Sequence, residues 1–411
     1  MKKRYISFAL IFLVTAAVYI LLFHKNKTLK FIPENADLVV LIDMKKIKRQ
    51  YISDWLMHPS QWSKISENNN ETVSFRNSGV KIPDFLQIFH LKNSKFSNYY
   101  TVLELEDFQK FCTLLKKHQF VNKGIQGYVK DNLVVYVNKK YAVVGTSSDE
   151  FAEISDFLSK KNVNKDQNAD QFIKGSLGSL SFISGKNVQN FSINLKDDEI
   201  EIKNEENSIN FQSLILDLNR KTQFLQAELD SENIRKISSF FKENIADSAS
   251  VNHLKMSADL AEVNDTIISY GYDDNFNEIE KVSYQKIIQP NYEILLQTSD
   301  PNKTWSYFQN KKWINAQNQF TAIPFQPNLI YNNKNEVYIK STGRSVKHDF
   351  KKQNFIFLKN NPLLYSSLRT LVGSHHKLVK DIDYIFYGNK SQDYVVKIKL
   401  KKNELPLLLR F

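Results

Sequence analysis

The chain has 411 residues, of which 42% are hydrophobic and 24% charged, and its formal net charge is +12. This composition supports the packed cores of two or three domains and excludes general disorder. With 11 glycines, 9 prolines and a single cysteine, the chain also excludes a low-complexity architecture and a disulfide framework within one molecule.

The positive charge is concentrated at the two ends of the chain. Residues 1–30 hold six basic and no acidic side chains, and residues 343–411 hold 14 basic and 5 acidic ones, which leaves residues 31–342 at −3. The basic C-terminal part is either a surface for anionic lipid or an acidic polymer, or a solvated lysine-rich surface. No zinc-finger, helix-turn-helix or RNA-binding motif accompanies it, so nucleic acid is not an expected partner.

The N-terminus predicts a membrane segment. Lys2, Lys3 and Arg4 precede the apolar run Tyr5–Phe23, which as a helix would be about 28 Å long and so matches the hydrocarbon thickness of a bilayer. We therefore predict that 1–30 is a transmembrane signal-anchor and tether, with membrane lipid as the partner of residues 5–23. A cleaved signal peptide and a buried helix are the alternatives. Lipid anchoring is not expected, because no cysteine ends the apolar run.

Basic residues flank the apolar run on both sides, so charge alone does not orient it strongly. Long domains that follow such a segment are largely translocated regardless of charge. We expect a single-pass protein of the cytoplasmic (inner) membrane whose body lies outside the cytoplasm.

Residues 31–165 are predicted to form a first α+β unit. Apolar residues at helical spacing indicate its helices, and apolar runs between turn pairs indicate its strands. The predicted strands are Leu38–Ile42, Tyr99–Leu105, Gly127–Lys130, Leu133–Val137 and Tyr141–Gly145. The predicted helices are Met44–Leu56, Asp107–His118 and one opened by a capping box of Ser147 and Glu150.

Residues 166–290 are predicted to be a strand-rich middle region. A helix that starts at Ser231 interrupts its strands, which form an antiparallel sheet. The predicted strands are Ser192–Leu195, Ile200–Lys203, Ile209–Leu218, Thr222–Leu229, Met256–Leu260 and Thr266–Tyr272.

Residues 291–411 repeat the pattern of the first unit. Tyr292–Leu296 resembles Tyr100–Leu103, Asp300 stands where Asp107 stands, and Phe355–Leu358 matches Tyr141–Val144. Strands at Tyr384–Tyr387 and Tyr394–Leu400 close the chain. The predicted fold class is α+β, with an N-terminal transmembrane helix followed by duplicated strand-helix-strand-strand-strand-helix units on antiparallel sheets. The alternative is two convergent antiparallel motifs.

The segment Phe31–Asp43 carries a resemblance. Its sequence contains I-P-E-N-A-D-L-V-V-L-I-D, and it resembles uncharacterised bacterial envelope families that open, after a signal or anchor, with I-P-x-x-A-x-x-V-x-x-I-D. The hairpin 131–145 is similar to their repeated strand-turn-strand element. The resemblance implies export and a duplicated α+β body, and it brings no catalytic residues.

No candidate site in the sequence has the spacing that catalysis or metal binding needs. His375-His376 with Asp381 and Asp383 is the only His/carboxylate cluster, and adjacent histidines on a helix diverge too far to share a metal. Cys112 lies on an apolar helix face and is predicted to be a packing residue. Two further groups have a functional alternative. A Ca²⁺ site is the alternative for the acidic run Asp197, Asp198, Glu199, Glu201, Glu205 and Glu206, which lacks EF-hand spacing and is interpreted as a solvated hairpin. Sugar stacking is the alternative for the aromatic set Tyr99, Tyr100, Trp305 and Trp313, which is interpreted mainly as core or sheet neighbours. We predict no catalytic, cofactor-binding or metal-binding residues and no cofactor.

The functional hypothesis is a non-enzymatic, membrane-anchored envelope protein, a binding or scaffolding module whose partner is an envelope protein or a cell-wall polymer. The first alternative is a membrane-tethered hydrolase acting on cell-envelope material, for which a pair of carboxylates in a pocket would be needed. A cytoplasm-facing basic tether is the second.

Overall fold

The computed structural model describes residues 15, 19–62, 78–124, 127–160, 167–204, 210–240, 245–323, 328–341, 346, 351–366 and 376–410. The chain divides into two units. Unit 1 consists of residues 1–205 and 403–411, and unit 2 consists of residues 206–402. The division at 205/206 falls inside the region 166–290 that the sequence marks as strand-rich.

Unit 1 is built on one long antiparallel sheet. Its strands are β1 (Thr28–Leu29), β2 (Ala36–Asp43), β3 (Phe85–Leu91), β4 (Tyr100–Glu104), β5 (Val121–Asn122), β6 (Gly127–Lys130), β7 (Leu133–Val137), β8 (Tyr141–Gly145), β9 (Gln167–Asn168), β10 (Gly178–Ser184), β11 (Asn187–Lys196) and β12 (Glu199–Asn204). The order across the sheet is β5-β6-β7-β8-β4-β3-β2-β10-β11-β12, and β1 pairs separately with β9. Its helices are α1 (Met44–Met57), α2 (Phe108–Lys117) and α3 (Phe151–Ser159), with short 3-10 helices at Pro59–Gln61, Ala169–Gln171 and Leu407–Leu409.

Two helices cover opposite faces of this sheet at β8. Side chains alternate between the faces of a strand, so Val143 joins one core and its neighbour Ala142 joins the other. The first core includes Ile154 of α3, and the second includes Phe111 of α2. The unit therefore forms layers with apolar packing on both sides of the central strands.

The strands of unit 2 are also antiparallel. Its strands are β13 (Leu225–Asp230), β14 (Val251–Tyr272), β15 (Glu278–Thr298), β16 (Gln319–Phe320), β17 (Asn328–Asn332), β18 (Glu336–Lys340), β19 (Asn354–Lys359), β20 (Ile382–Lys390) and β21 (Asp393–Leu400). The order is β16-β17-β18-β15-β14-β13-β19-β20-β21. Its helices are α4 (Gln212–Asn219), α5 (Ser231–Phe240), α6 (Ile245–Ser248), α7 (Pro301–Asn310) and α8 (His376–Asp381), with a further helical segment at 362–366.

Aspartates start the helices that follow strands. The carboxylates of Asp43, Asp107 and Asp300 accept hydrogen bonds from the backbone N–H three residues later, at the N-termini of α1, α2 and α7. Such caps satisfy a backbone donor that has no partner within the helix, and each is worth about 1 kcal/mol. These boundaries agree with the prediction to within one or two residues.

The predicted fold class is wrong in two respects: the N-terminal transmembrane helix and the proportion of strand to helix. The structure is mostly β, with 45% strand and 25% helix. No helix among the described residues is long and apolar enough to cross a membrane, which overturns the predicted transmembrane helix and with it the signal-anchor and the single-pass membrane location. Of the predicted segment 5–23, residues 5–14 and 16–18 lie outside the described residues.

Two predictions about single elements also fail. Ile209–Leu218 was expected to be a strand, but Leu214, Ile215 and Leu218 are buried on one face of the helix α4. Ser147 and Glu150 form no capping box, because no side chain caps α3 and the Glu150 carboxylate accepts instead from the hydroxyl of Tyr100.

The proposed match of Phe355–Leu358 to Tyr141–Val144 is wrong in topology. The strand β8 pairs with β4, whereas β19 pairs with β13. In unit 2 it is β18 that pairs with β15, as β8 does with β4 in unit 1. Similar apolar runs thus occupy different positions in the two sheets.

Candidate functional site

The sequence-derived candidates do not form a site. His375 lies outside the described residues, and no group of three or more His, Cys, Asp or Glu within the described part of the chain is placed to hold a metal ion. Cys112 packs against the core under α2, and a hydrogen bond with it, together with burial, raises the pKa of Tyr128. Cys112 therefore serves packing.

The acidic run forms ion pairs within unit 1. Asp198 pairs with Arg410, Glu199 pairs with Lys196, and Glu201 contacts Lys196 and Lys203. Glu205 and Glu206 lie outside the described residues. Lysine and arginine side chains thus neutralise Asp198, Glu199 and Glu201.

The four aromatic residues do not share a surface. Tyr100 is 1% exposed, and Trp305 and Trp313 pack against the core of unit 2. Tyr99 is half-buried beside the ring of His90, and its pKa is raised by burial and by the charge of Asp37. They offer no platform for stacking a sugar.

One arrangement that the sequence did not indicate resembles a Ser-His-Asp triad. In unit 1, Nδ1 of His90 lies 2.6 Å from Oδ1 of Asp37, and Nε2 of His90 lies 3.2 Å from Oγ of Ser94. However, Oγ of Ser94 donates to the carbonyl of Leu91 at 2.8 Å, and Nε2 of His90 also faces the carbonyl of Lys95 at 3.1 Å. A nucleophilic serine must give its proton to a histidine nitrogen that is free to accept it. These contacts hold the turn around Ser94 in place, and they do not activate its hydroxyl for catalysis.

A second polar cluster lies on the sheet of unit 2. A cleft of about 340 Å³ is lined by Glu228, Asp230, His253, Lys255, Gln297, Lys352, Gln353 and Asn354. Glu228 and Asp230 are two residues apart on β13 and so face the same side, about 6.6 Å apart along the strand. That separation suits a pair of catalytic carboxylates. Whether they can act as acid and base therefore depends on their hydrogen-bond partners.

Both carboxylates are already held by hydrogen bonds. Glu228 accepts from the backbone N–H of Lys351 at 2.8 Å and of Lys352 at 3.2 Å, and its Oε1 lies 3.4 Å from Nε2 of His253. Burial would raise the pKa of Glu228, but donation from His253 and Lys351 outweighs it and the pKa is lowered. A general acid needs a raised pKa, so Glu228 is not suited to that role.

Asp230 is held in the same way. Its carboxylate accepts from the backbone and side-chain nitrogens of Asn233 at 2.9 and 2.8 Å and from the amide of Asn354 at 2.7 Å. Burial opposes these bonds, yet the pKa of Asp230 is lowered. This cluster joins β13, β14, β19 and α5, and its chemistry is structural.

The most unusual feature of unit 2 is a long hairpin. Strands β14 and β15 pair from Val251–Thr298 at the base to Tyr272–Glu278 at the tip. On one side β13 pairs with β14 only as far as Ala258, and on the other β18 pairs with β15 only from Glu293. Among the described residues, the part between these points has no further strand beside it. We call residues 262–288 the outer arm.

One face of the outer arm exposes aromatic and aliphatic side chains, with Glu280 opposite Tyr270 and Glu278 opposite Tyr272. In the register of the hairpin, Ile268 lies opposite Val282, and residues opposite or two apart share a face. We define the aromatic face as Ile268, Tyr270, Tyr272, Val282 and Tyr284, which are 53%, 67%, 69%, 49% and 75% exposed. The other face carries Ile267 and Ile279, which are 40% and 36% exposed, among Ser269, Lys281 and Ser283.

The outer arm is acidic in a basic protein. Residues 262–288 contain six acidic and two basic side chains, a net charge of −4, so that the rest of the chain carries +16. Four of the carboxylates, those of Asp273, Asp274, Glu278 and Glu280, cluster at the tip. The arm thus combines exposed aromatic rings with a charge opposite to that of the remaining molecule.

Sequence reasoning saw only part of this arm. It predicted two strands, Met256–Leu260 and Thr266–Tyr272, where β14 is continuous, and it assigned nothing to 278–291. The usable signal was the alternation of Tyr270 with Tyr272 and of Val282 with Tyr284 around the turn-forming Asp273-Asp274-Asn275.

No protein family, curated protein or solved structure matches this chain. The resemblance to envelope families at 31–43 therefore remains a prediction.

Proposed function

We propose that this protein is a non-enzymatic scaffolding module that self-associates, with the outer arm of each copy docking on a second copy of the same chain. The observation that supports the proposal is the exposed aromatic face. The largest exposed apolar patch on a typical monomer covers about 300–600 Å² and is often functional, especially where polar residues surround it. A two-stranded ribbon is also marginally stable by itself in water, so covering it would stabilise the outer arm.

The charge distribution favours a second copy as the occupant. The outer arm at −4 is attracted to any molecule as basic as the rest of this chain at +16. Opposite potentials raise the rate of encounter and disfavour arm-to-arm contacts, in which Glu278 and Glu280 of two copies would face one another.

The available area favours reciprocal exchange of two arms. The outer arm pairs Glu262–Tyr272 with Glu278–Ile288, and eleven residues of strand extend over about 36 Å, so one face about 10 Å wide offers about 360 Å². Stable interfaces bury about 800 Å² on each partner. One arm face by itself falls short of this area. In a two-fold dimer, however, each copy buries its own arm face and the surface that receives the other arm, which together cover about 700 Å² on each copy.

Sedimentation velocity of the full chain over a concentration series tests the proposal. The double variant Tyr270→Thr/Tyr284→Thr removes rings from the aromatic face, and Ile267→Thr/Ile279→Thr is the matched control on the opposite face. Threonine keeps a high strand propensity in both. We expect the wild-type chain to dimerise, the aromatic-face variant to bind at least about tenfold more weakly, and the control to differ by less than about threefold.

Salt supplies a second readout of the same association. Raising ionic strength shortens the screening length from about 10 Å at 0.1 M to about 3 Å at 1 M, so the dimer is expected to weaken. A wild-type chain that stays monomeric at every concentration, or equal effects of the two double variants, would refute self-association through the arm.

A further inference from the structure

The turn at the end of the arm holds an exposed aromatic ring in an unfavourable backbone conformation. Residues 273–277 join β14 to β15, and Phe276 has φ +64 with 86% of its surface exposed. The left-handed region is disfavoured for residues with a Cβ, and Gly or Asn usually occupies it. Phe276 thus gains no burial within its own chain to offset this conformation.

A hydrogen-bonded network around Asp273 imposes the conformation. The Asp273 carboxylate accepts from the backbone N–H of Asn275 at 2.9 Å and of Asn277 at 2.8 Å, and from the Asn277 amide at 3.1 Å. The N–H of Asp273 donates to the Asn277 carbonyl, and the N–H of Phe276 donates to the Asp273 carbonyl, both at 3.0 Å. The turn is therefore ordered in the free chain.

This arrangement suits an anchor residue. Aromatic side chains are enriched among the few residues that dominate binding energy, and they act by filling a desolvated pocket. Order that exists before binding reduces the entropy lost on binding. Strained residues that the surrounding structure holds in place occur at functional sites.

We propose that Phe276 is the residue with which each arm enters an apolar pocket on the second copy. This inference rests on the proposed self-association. The carboxylates of Asp273, Asp274, Glu278 and Glu280 surround the ring in sequence, so the proposal requires a pocket with a basic rim. Donation from the backbone N–H of Asn277 lowers the pKa of Asp273, so that this carboxylate is charged at neutral pH.

The variant Phe276→Asn removes the aromatic ring and keeps the turn conformation, because Asn tolerates the left-handed region. The matched control, Asn275→Ser, changes a neighbouring exposed side chain in the same turn. By sedimentation velocity of the full chain, we expect Phe276→Asn to raise the dimer dissociation constant at least about 30-fold and the control to change it less than about threefold.

Thermal unfolding at concentrations where the chain is monomeric is the second readout. A Phe that served only the turn would lower the melting temperature when replaced, whereas the anchor role predicts an unchanged or higher value. If Phe276→Asn dimerises as the wild type does while Tyr270→Thr/Tyr284→Thr does not, the anchor is refuted and the arm proposal stands. If the wild-type chain is monomeric throughout, both are refuted.

Discussion

Replacing Glu228 with Gln removes one negative charge from the buried cluster on the sheet of unit 2. In the wild type, the two carboxylate oxygens accept from the N–H groups of Lys351 and Lys352 at 2.8 and 3.2 Å. The glutamine amide has a single acceptor oxygen, so if it takes the bond from Lys351, its NH₂ group faces the N–H of Lys352.

The expected cost at neutral pH is about 2 kcal/mol of unfolding free energy, since a hydrogen bond to a charged group is worth about 1.5–3 kcal/mol and the Glu228 side chain that accepts it is buried. The variant should also lose a pH dependence. The pKa of Glu228 is lowered in the folded state, so its contribution is present above the unfolded value of 4.5 and is lost as pH falls through the folded value. The gap between wild type and Glu228→Gln should narrow below pH 4.5.

Urea titration at pH 7 and at pH 3, followed by hydrogen exchange at the amides of β13 and β19, measures this locally. A local readout is needed because a chain of two units does not unfold in one step. Glu232→Gln is the matched control, because Glu232 is largely exposed and pairs with Lys236 one turn away. Its cost should stay within about 0.5 kcal/mol. An equal effect of the two substitutions, or a gap that does not depend on pH, would refute the reasoning.

Two packing substitutions test the cores. Gly145→Ala should destabilise unit 1 by about 1–3 kcal/mol in urea titrations, because the new Cβ would lie 2.5 Å from a ring carbon of the buried Tyr100 and 2.9 Å from the Ser147 carbonyl. Phe357→Ala should cost unit 2 about 3–5 kcal/mol in the same assay, because Phe357 is fully buried in the core that also contains Tyr384 and Phe386. A loss below about 0.5 kcal/mol in either case would contradict the packing described for that core.

Local patterns in the sequence determined the helices and strands whose burial is set by neighbours along the chain. The bounds of β6, β7 and β8 were predicted as observed, because turn residues separate these short apolar runs. The helix α2 was predicted within one residue at each end, because Asp107 lies just before the helical pattern and caps the helix.

The same patterns failed where an apolar run fits both the period of a helix and that of a strand. The segment 209–218 has the composition of a strand, yet its leucines and isoleucine are buried on one side of α4 against Phe355, Phe357 and Phe386. Short apolar runs do not distinguish a buried helix from a strand, and the packing partner decides. The N-terminal apolar run likewise predicted a membrane helix that the described residues do not contain.

The candidate site depended almost wholly on tertiary structure. Composition and motif spacing gave no catalytic, cofactor or metal residues, and the hydrogen bonds from Lys351 to Glu228 and from Asn354 to Asp230 join residues more than 100 positions apart. The alternating side chains of the outer arm were visible in the sequence, but their exposure was not. Exposure depends on β13 ending its pairing at Ala258 and β18 beginning its pairing at Glu293, and only the folded sheet sets those points.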